Sequence, residues 1–421
     1  MKTKFFTIAI ILLMTVSCSA PKKNLSTTLN QSASDSLTEQ LQQLYKKGYF
    51  NGFGVAIVDE TGIRYQNGFG YSDVALQKSY STQTVQSIAS VSKTFVGIAL
   101  LKAQEMGKLR LDDPINNYLP FQVNNPYFPN IPITIRHLAN HTSTILDNEY
   151  YLSQNYYLKS DQELTGLPLV FDETQVFNPS DTALPLNTFL KNMLIPGEKW
   201  YTENTFQNQK PGMLYEYSNT GTTLAAYIIE QATGESFDRF TQKHILTPLQ
   251  LKDSGWKFNT IDFKKLSRYY QDPKILLPYY TMSSYPDGGF MTSIQDLSFY
   301  LQELIRGYNG KGKILSKESY REFFKPQLSA ENFTDRPTNN PYNESYNVGI
   351  FIGFGYTGYI GHTGGDPGVM SMLFFDPETN IGRIMMFNTN FSTQEGNQVF
   401  YKIWELLKQY GGKPDTTPDR F

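Results

Sequence analysis

Apolar residues enter this chain first as one block, then at helical spacing, then in alternation. Lys2 and Lys4 precede the run FFTIAIILLMTV, which Ser17-Cys18 interrupts. A basic start with an apolar core shorter than the roughly 20 residues of a bilayer-crossing helix is the pattern of an export signal. The polar stretch SAPKKNLSTTLNQSASD follows with no apolar period and reads as a flexible tether. In DSLTEQLQQLYKKG, Leu37, Leu41 and Leu44 recur at helical intervals until Gly48. GFGVAIVDE and GIRYQNGFGY are short β-type runs around a Glu60-Thr61-Gly62 hairpin signal. From about residue 75 to 340, KTFVGIALLKAQEMG, TGTTLAAYIIEQATG and SIQDLSFYLQELIRG each predict a helix that stops at a glycine. Strand patterns then return in YNVGIFIGF, GYIGHTGG, GVMSMLFFDP and IGRIMMFNTN. A last helix, NQVFYKIWELLKQYG, places Val399, Ile403 and Leu406 or Leu407 on one face.

This order predicts an α/β plus all-α fold: an antiparallel sheet from both chain ends, flanked by terminal helices, with an inserted helical lobe. Such a join leaves a cleft between two lobes. The boundaries read as a signal over 1–17, a tether over 18–35, one domain over 36–412 and a polar tail over 413–421. Within the domain, residues 36–75 and 340–412 form the α/β lobe and 76–339 the helical lobe. Residues 144–212, rich in Tyr, Pro and Asn with little period, predict a long loop that is either functional or disordered.

Hydrophobic residues make up 40% and charged residues 18%, with 29 Tyr and 29 Phe, a composition that excludes a disordered chain. A formal net charge of −2 gives no footprint for nucleic acid, which is not expected as a partner. Cys18 is the one cysteine, so no disulfide forms within a chain. It follows the small residues Thr15, Val16 and Ser17, where an ordinary signal cleavage site is one reading. The segment also resembles a bacterial lipoprotein signal, although that pattern prefers Leu where Thr15 stands. This resemblance implies lipidation of Cys18, anchorage in the bacterial cell envelope and, from Ser19 rather than Asp, outer-membrane sorting on the periplasmic side.

Three short motifs carry candidate chemistry. Ser90 and Lys93 lie three apart in SIASVSKTF, where a turn-like segment gives way to a long apolar helix. Residues so spaced are neighbours on a helix, so the amine can reach the hydroxyl. Serine is a weak nucleophile until a base activates it, and lysine becomes a base when its pKa falls from about 10.4. Burial and the positive end of the helix dipole both push it down, and the helix start supplies N–H groups for an oxyanion. The spacing alone is weak, since Ser19 to Lys22 and Ser254 to Lys257 repeat it. The second motif is Tyr217-Ser218-Asn219, in which a phenol relays protons and an amide holds lysine or substrate. Tyr65 to Asn67 shares that pattern, and taken alone the triplet is better explained by a buried tyrosine and a helix cap. The third is His362-Thr363-Gly364-Gly365 at a strand end, whose glycines allow close backbone approach and an N–H aimed at the cleft, or which form only a turn. His137 and His141 stand four apart in HLANH, but no Glu follows the first, and no metal site is expected.

In this order and at these intervals, the three motifs resemble the penicillin-recognising serine hydrolases. More narrowly they resemble the β-lactamase-related family of class C β-lactamases, D-aminopeptidases, DD-carboxypeptidases and esterases. The resemblance extends over most of residues 36 to 410, through NGFGYSD, LRLDDPINNYLP, ITIRHLANHTS, PDGGFMTSIQDL and GHTGGDPGVMS. It implies Ser90 as nucleophile, Lys93 as its base and Tyr217 as a partner in proton transfer. It further implies Asn219 on the amide side of the substrate, His362, Thr363 and Gly364 along its far side, and the Ser90 and Gly365 N–H groups as oxyanion hole. No metal or organic cofactor is implied. The partner is a small-molecule or peptide substrate, and a pseudoenzyme that binds cell-wall peptides without turnover is the alternative.

Two departures bear on specificity. Class C β-lactamases and many penicillin-binding proteins carry Lys where His362 stands. Histidine titrates near 6.5 when unperturbed, so grip on a carboxylate is expected to be weaker and pH-dependent. Thr144 replaces a glycine frequent after His-Thr-Ser, and Tyr150, Tyr151, Tyr156 and Tyr157 beyond it either wall the cleft or pack the insertion.

Overall fold

Seven antiparallel strands with helices on both faces form the α/β lobe in a computed structural model, which describes residues 29–334, 349–354 and 358–412. The signal segment, Cys18, the Ser19–Lys22 repeat and the polar tail lie outside the described residues. The strands are β1 (Gly52–Asp59), β2 (Gly62–Asp73), β3 (Lys78–Ser79), β4 (Gly353–Phe354), β5 (Ile360–Asp366), β6 (Val369–Asp376) and β7 (Ile381–Phe387). Their order is β4-β5-β6-β7-β1-β2-β3. The two chain ends meet where β1 pairs with β7, Val55 opposite Met385 and Ala56 opposite Ile384.

Five helices position the rest: α1 (Gln31–Tyr45), α2 (Lys93–Glu105), α3 (Asn219–Thr233), α4 (Ile294–Tyr308) and α5 (Gln394–Gly411). Side chains alternate across the sheet, so Phe53, Val55 and Ile57 of β1 join Met385 and Phe387 on one face. There α1 and α5 cover them with Leu37, Leu41, Val399, Ile403, Leu406 and Leu407, all buried. Each such side chain stabilises the layer by at most about 3 kcal/mol.

Four sequence expectations change. Helix α1 starts at Gln31, inside the span read as tether, because Asn30 Oδ1 accepts from the Ala33 N–H at 2.9 Å and caps a first turn that has few apolar residues. Helix α4, read as part of the helical lobe, packs on the sheet instead. Ile294, Leu297, Leu301 and Ile305 lie with Ala56, Val58, Ile384 and Met386 in one core. Periodicity reveals an apolar stripe but not its partner. The partner is fixed by Gly54, where a Cβ would come within 2.5 Å of Ile294 Cγ1. Strand β3 also carries the sheet past residue 75, with Ser79 opposite Tyr71. Finally, of YNVGIFIGF only Gly353–Phe354 is strand among the described residues. Phe351 takes a φ of 53° and its N–H donates to Ala139 O at 2.8 Å, which ties this segment to the helical lobe.

In the helical lobe α2 and α3 run through one apolar core, buried on nearly every side from Lys93 to Leu101 and from Thr220 to Ile229. Ser218 caps α3 through the Gly221 N–H at 2.9 Å, and Gly234 ends it at φ 74°. The 144–212 segment is ordered by tertiary pairing: Tyr156–Leu158 pairs antiparallel with Tyr280–Met282, and Leu186–Leu194 forms a helix.

Candidate active site

Ser90 lies on a 3₁₀ turn, Ala89–Ser92, that runs directly into α2, so Lys93 is the first residue of that helix. In a 3₁₀ turn side chains three apart eclipse, which sets amine against hydroxyl. Lys93 Nζ is 3.0 Å from Ser90 Oγ and donates to the backbone oxygen of Asp287 at 2.7 Å. The turn is clamped from both lobes. Ser371 Oγ on β6 donates to Ile88 O at 2.7 Å, and the Phe290 N–H donates to Ser92 Oγ at 3.1 Å. Ala89, at φ 47°, holds a left-handed conformation that costs roughly 1–2 kcal/mol, strain of the kind stored beside reactive groups.

The three motifs converge. Lys93 Nζ stands 5.1 Å from the centre of the Tyr217 ring, and the His362 ring is 6.1 Å from that of Tyr217. Gly364 of β5 lies against the nucleophile's turn: a Cβ there would be 2.2 Å from Ile88 O and 3.1 Å from Ser90 N. Gly365 is exposed, with open space where a side chain would stand. Thr363 is half-buried beside it. Strand β5 pairs with β6 along its whole length and with β4 at Ile360 and Gly361. Gly364→Ala is expected to destabilise the protein by about 1–3 kcal/mol through overpacking against immovable backbone, while Gly365→Ala is close to neutral. Urea denaturation of the two variants in parallel checks this.

Asn219 arrives at the same place but is already engaged. Its N–H and its side-chain amide donate to Asp147 Oδ2 at 2.9 and 2.8 Å, while Asp147 Oδ1 accepts from the Thr220 N–H. Asp147 thus supplies the anion at the start of α3. The repeated patterns part company with the site. Ser254 Oγ donates to Asp296 at 2.8 Å while Lys257 pairs with Asp238 at 2.7 Å, and Tyr65 hydrogen-bonds Thr38.

Burial sets the electrostatics. Lys93, wholly buried, has its pKa lowered by desolvation, and Asp287, Asp147 and Asp366 work against that shift. Tyr217 is raised by burial, with the Ser90 hydroxyl as the hydrogen-bond partner opposing it, so the phenol keeps its proton at neutral pH. His362 is pushed down to about 4, by burial first and by Lys93 second, and its Nδ1 lies 2.6 Å from Thr363 O. The titration expected near 6.5 therefore moves to about 4, and the ring is neutral at physiological pH. A carbonyl can only accept, which puts the proton on Nδ1.

Several contributors lie outside the three motifs. Asp287, raised to about 6 by burial, receives Tyr151 OH at 2.8 Å and Thr223 Oγ1 at 2.7 Å. Its carbonyl holds Lys93, and PDGG was the available signal. His141 accepts the Ser218 N–H on Nδ1 at 3.2 Å and packs its ring 4.6 Å from that of Tyr217. It is a prop for Tyr217, and His137 Nδ1 caps its own helix through the Thr134 N–H. Among the described residues no group of three or more His, Cys, Asp or Glu could hold a metal ion. Two of the four tyrosines reach the cleft: Tyr151 through Asp287, and Tyr156 by donating to Asp366 Oδ1 at 2.7 Å. Tyr157 donates to Gln154 O and Tyr150 packs on the helical core, so those two serve the insertion itself.

A serine and a buried lysine stand at bonding distance on a helix start between an antiparallel sheet and a helical lobe. The sequence model described as Beta-lactamase matches residues 37–408. The chain belongs to the Beta-lactamase family. A curated relative, Protein flp of Staphylococcus aureus (strain MW2), is 26% identical over 351 residues. That alignment covers 82% of this chain and 61% of flp, so the chain spans about three fifths of that relative's length. The D-amino acid amidase of Ochrobactrum anthropi SV3, solved with L-phenylalanine amide, superposes with a TM-score of 0.64 at 20% identity, covering 90% of this chain and 99% of that one. A β-lactamase/D-alanine carboxypeptidase from Yersinia pestis, solved with citrate, gives 0.64 at 17% identity, covering 89% and 99%. These likenesses establish the fold, an antiparallel sheet with an inserted helical lobe and a cleft between them.

Proposed function

We propose that this Beta-lactamase family member is a serine hydrolase that works through an acyl-enzyme on an ester or amide. The observation that carries the reading is the 3.0 Å approach of Lys93 Nζ to Ser90 Oγ, at a site where burial lowers the amine's pKa. Ser90 attacks the carbonyl as Lys93 takes its proton, and the oxyanion forms against the Ser90 and Gly365 N–H groups. Tyr217 or Lys93 passes a proton to the leaving group, and water then releases the acyl group from Ser90. Asn219 and Thr363 border the substrate. D-amino-acid peptides of cell-wall origin and small esters are the substrates this reading ranks first, in keeping with the amidase and carboxypeptidase of like fold. Attachment through a lipidated Cys18 in the cell envelope remains part of the proposal on sequence grounds.

The test is covalent capture. A fluorophosphonate is expected to add once per chain, on the peptide that holds Ser90, and a panel of D-Ala-D-Ala peptides, p-nitrophenyl esters and nitrocefin ranks the acyl donors. An unlabelled chain, or an adduct mapped elsewhere, rejects the proposal in favour of the non-catalytic alternative.

A neutral His362 offers no charge to a substrate carboxylate, which makes β-lactams poor substrates. Protonation of the ring adds grip only as the pH falls through about 4. His362→Lys is expected to raise kcat/KM for nitrocefin at pH 7 by about tenfold through a charge-assisted hydrogen bond, measured against an uncharged ester in the same variant.

A further inference from the structure

Residues two apart on a strand share a face, so His362, Gly364 and Asp366 of β5 all look toward the Ser90 turn. Gly364 sits against Ser90 N, and the other two flank it. His362 lies toward Tyr217. Asp366 lies at the opposite end. Its Oδ1 accepts from Tyr156 OH at 2.7 Å, and its Oδ2 is 3.0 Å from where a Gly288 Cβ would stand, in the turn whose Asp287 carbonyl holds Lys93. Proton delivery by Tyr217 puts the leaving group on the His362 side, which leaves the acyl part of the substrate to lie along Asp366.

The charges around the nucleophile are one-sided. Asp147, Asp287 and Asp366 all act on Lys93 and on Tyr217, and among the described residues Lys93 is the one cation that acts on Asp366. Asp147 is occupied by the start of α3, and Asp287 is buried away from the cleft with its Oδ2 taken by the hydroxyls of Tyr151 and Thr223. Asp366 is half-buried, with Oδ1 taken by Tyr156 and no donor on Oδ2 among the described residues. Burial raises this acid to about 7, so it is partly protonated at neutral pH until a cation approaches. An acid so held on the acyl side fits a cation one or two bonds from the scissile carbonyl, and that cation ionises it.

We propose that Asp366 is a specificity-determining residue that selects acyl donors carrying a primary ammonium beside the scissile carbonyl, that is, amides, esters or peptides of an amino acid with a free α-amine. The inference rests on the acyl-enzyme reading above. N-acylated donors lose the ion pair, and donors with a carboxylate at that end meet a like charge.

The experiment compares kcat/KM for D-alanine p-nitroanilide with that for its N-acetyl counterpart, in wild type, Asp366→Asn and Asp366→Glu. Wild type is expected to favour the free amine by about tenfold or more, the Asn variant to bring the ratio near unity, and the Glu variant to keep the preference. The ratio is read within each protein, so a general loss of activity or stability does not move it, and the wild-type ratio decides even if a variant fails to fold. A wild-type ratio at or below one, or a preference that survives in Asp366→Asn, overturns the proposal. p-Nitrophenyl acetate separates the two levels. Ser90-dependent turnover of that ester without amine preference removes only the role of Asp366, whereas no Ser90-dependent turnover of any donor removes the hydrolase reading and this inference with it.

Discussion

Ser90→Ala is expected to lower kcat/KM for the best substrate of the panel by about ten-thousand-fold or more and to abolish the fluorophosphonate adduct. No other described hydroxyl shares its position, because Ser92 Oγ is held by the Phe290 N–H and Ser87 Oγ donates to Gly288 O at 3.1 Å. The change removes one oxygen from a half-buried position and leaves the Ala89–Ser92 backbone intact, so folding should be preserved. An intact mass spectrum of wild type and variant after the same exposure gives the answer. Equal labelling in both, or equal turnover, refutes the role of Ser90.

Lys93→Met carries the second-largest effect, a fall of about a thousand-fold in acylation rate, since a positioned base contributes some 10²–10⁴-fold. Methionine fills the channel between Ser90 and Tyr217 without an amine. Two stability effects oppose each other there. Removal of a buried amine relieves desolvation, while the Asp287 carbonyl loses its donor at 2.7 Å. The melting temperature is expected to stay within about 4 °C of wild type, so lost activity cannot be assigned to unfolding. The pH profile supplies a readout that a purely structural lysine would not move. Lys93 works as base only when unprotonated, so kcat/KM in wild type rises with pH through its lowered pKa and is lost as pH falls below it. In the Met variant that limb should vanish. A variant that keeps the limb places the base elsewhere.

The extent to which these residues were legible in the chain follows from range. Leu37, Leu41 and Leu44 announced α1, and the run from Phe95 to Leu101 announced α2, because helical contacts repeat within a few residues and need no partner to be seen. Ser90 and Lys93 were legible for the same reason: three residues apart at a helix start, they meet through local geometry alone. Tyr217 and His362 were legible as motifs, but neither triplet states that the other is 6.1 Å away.

What the amino-acid order determined by itself was therefore local: most of the elements, the glycine stops of α3 and its neighbours, the small and aromatic residues at each motif, and an order of helix and strand that brings both chain ends into one sheet. Tertiary structure alone decided the rest. It laid α4 on the sheet over Gly54, drew Tyr151 and Tyr156 out of an unpatterned segment onto Asp287 and Asp366, and buried Lys93, Tyr217 and His362 deeply enough to shift their protonation. The physical reason is that desolvation and long-range hydrogen bonds belong to the space a residue is packed into, which its neighbours along the chain do not specify.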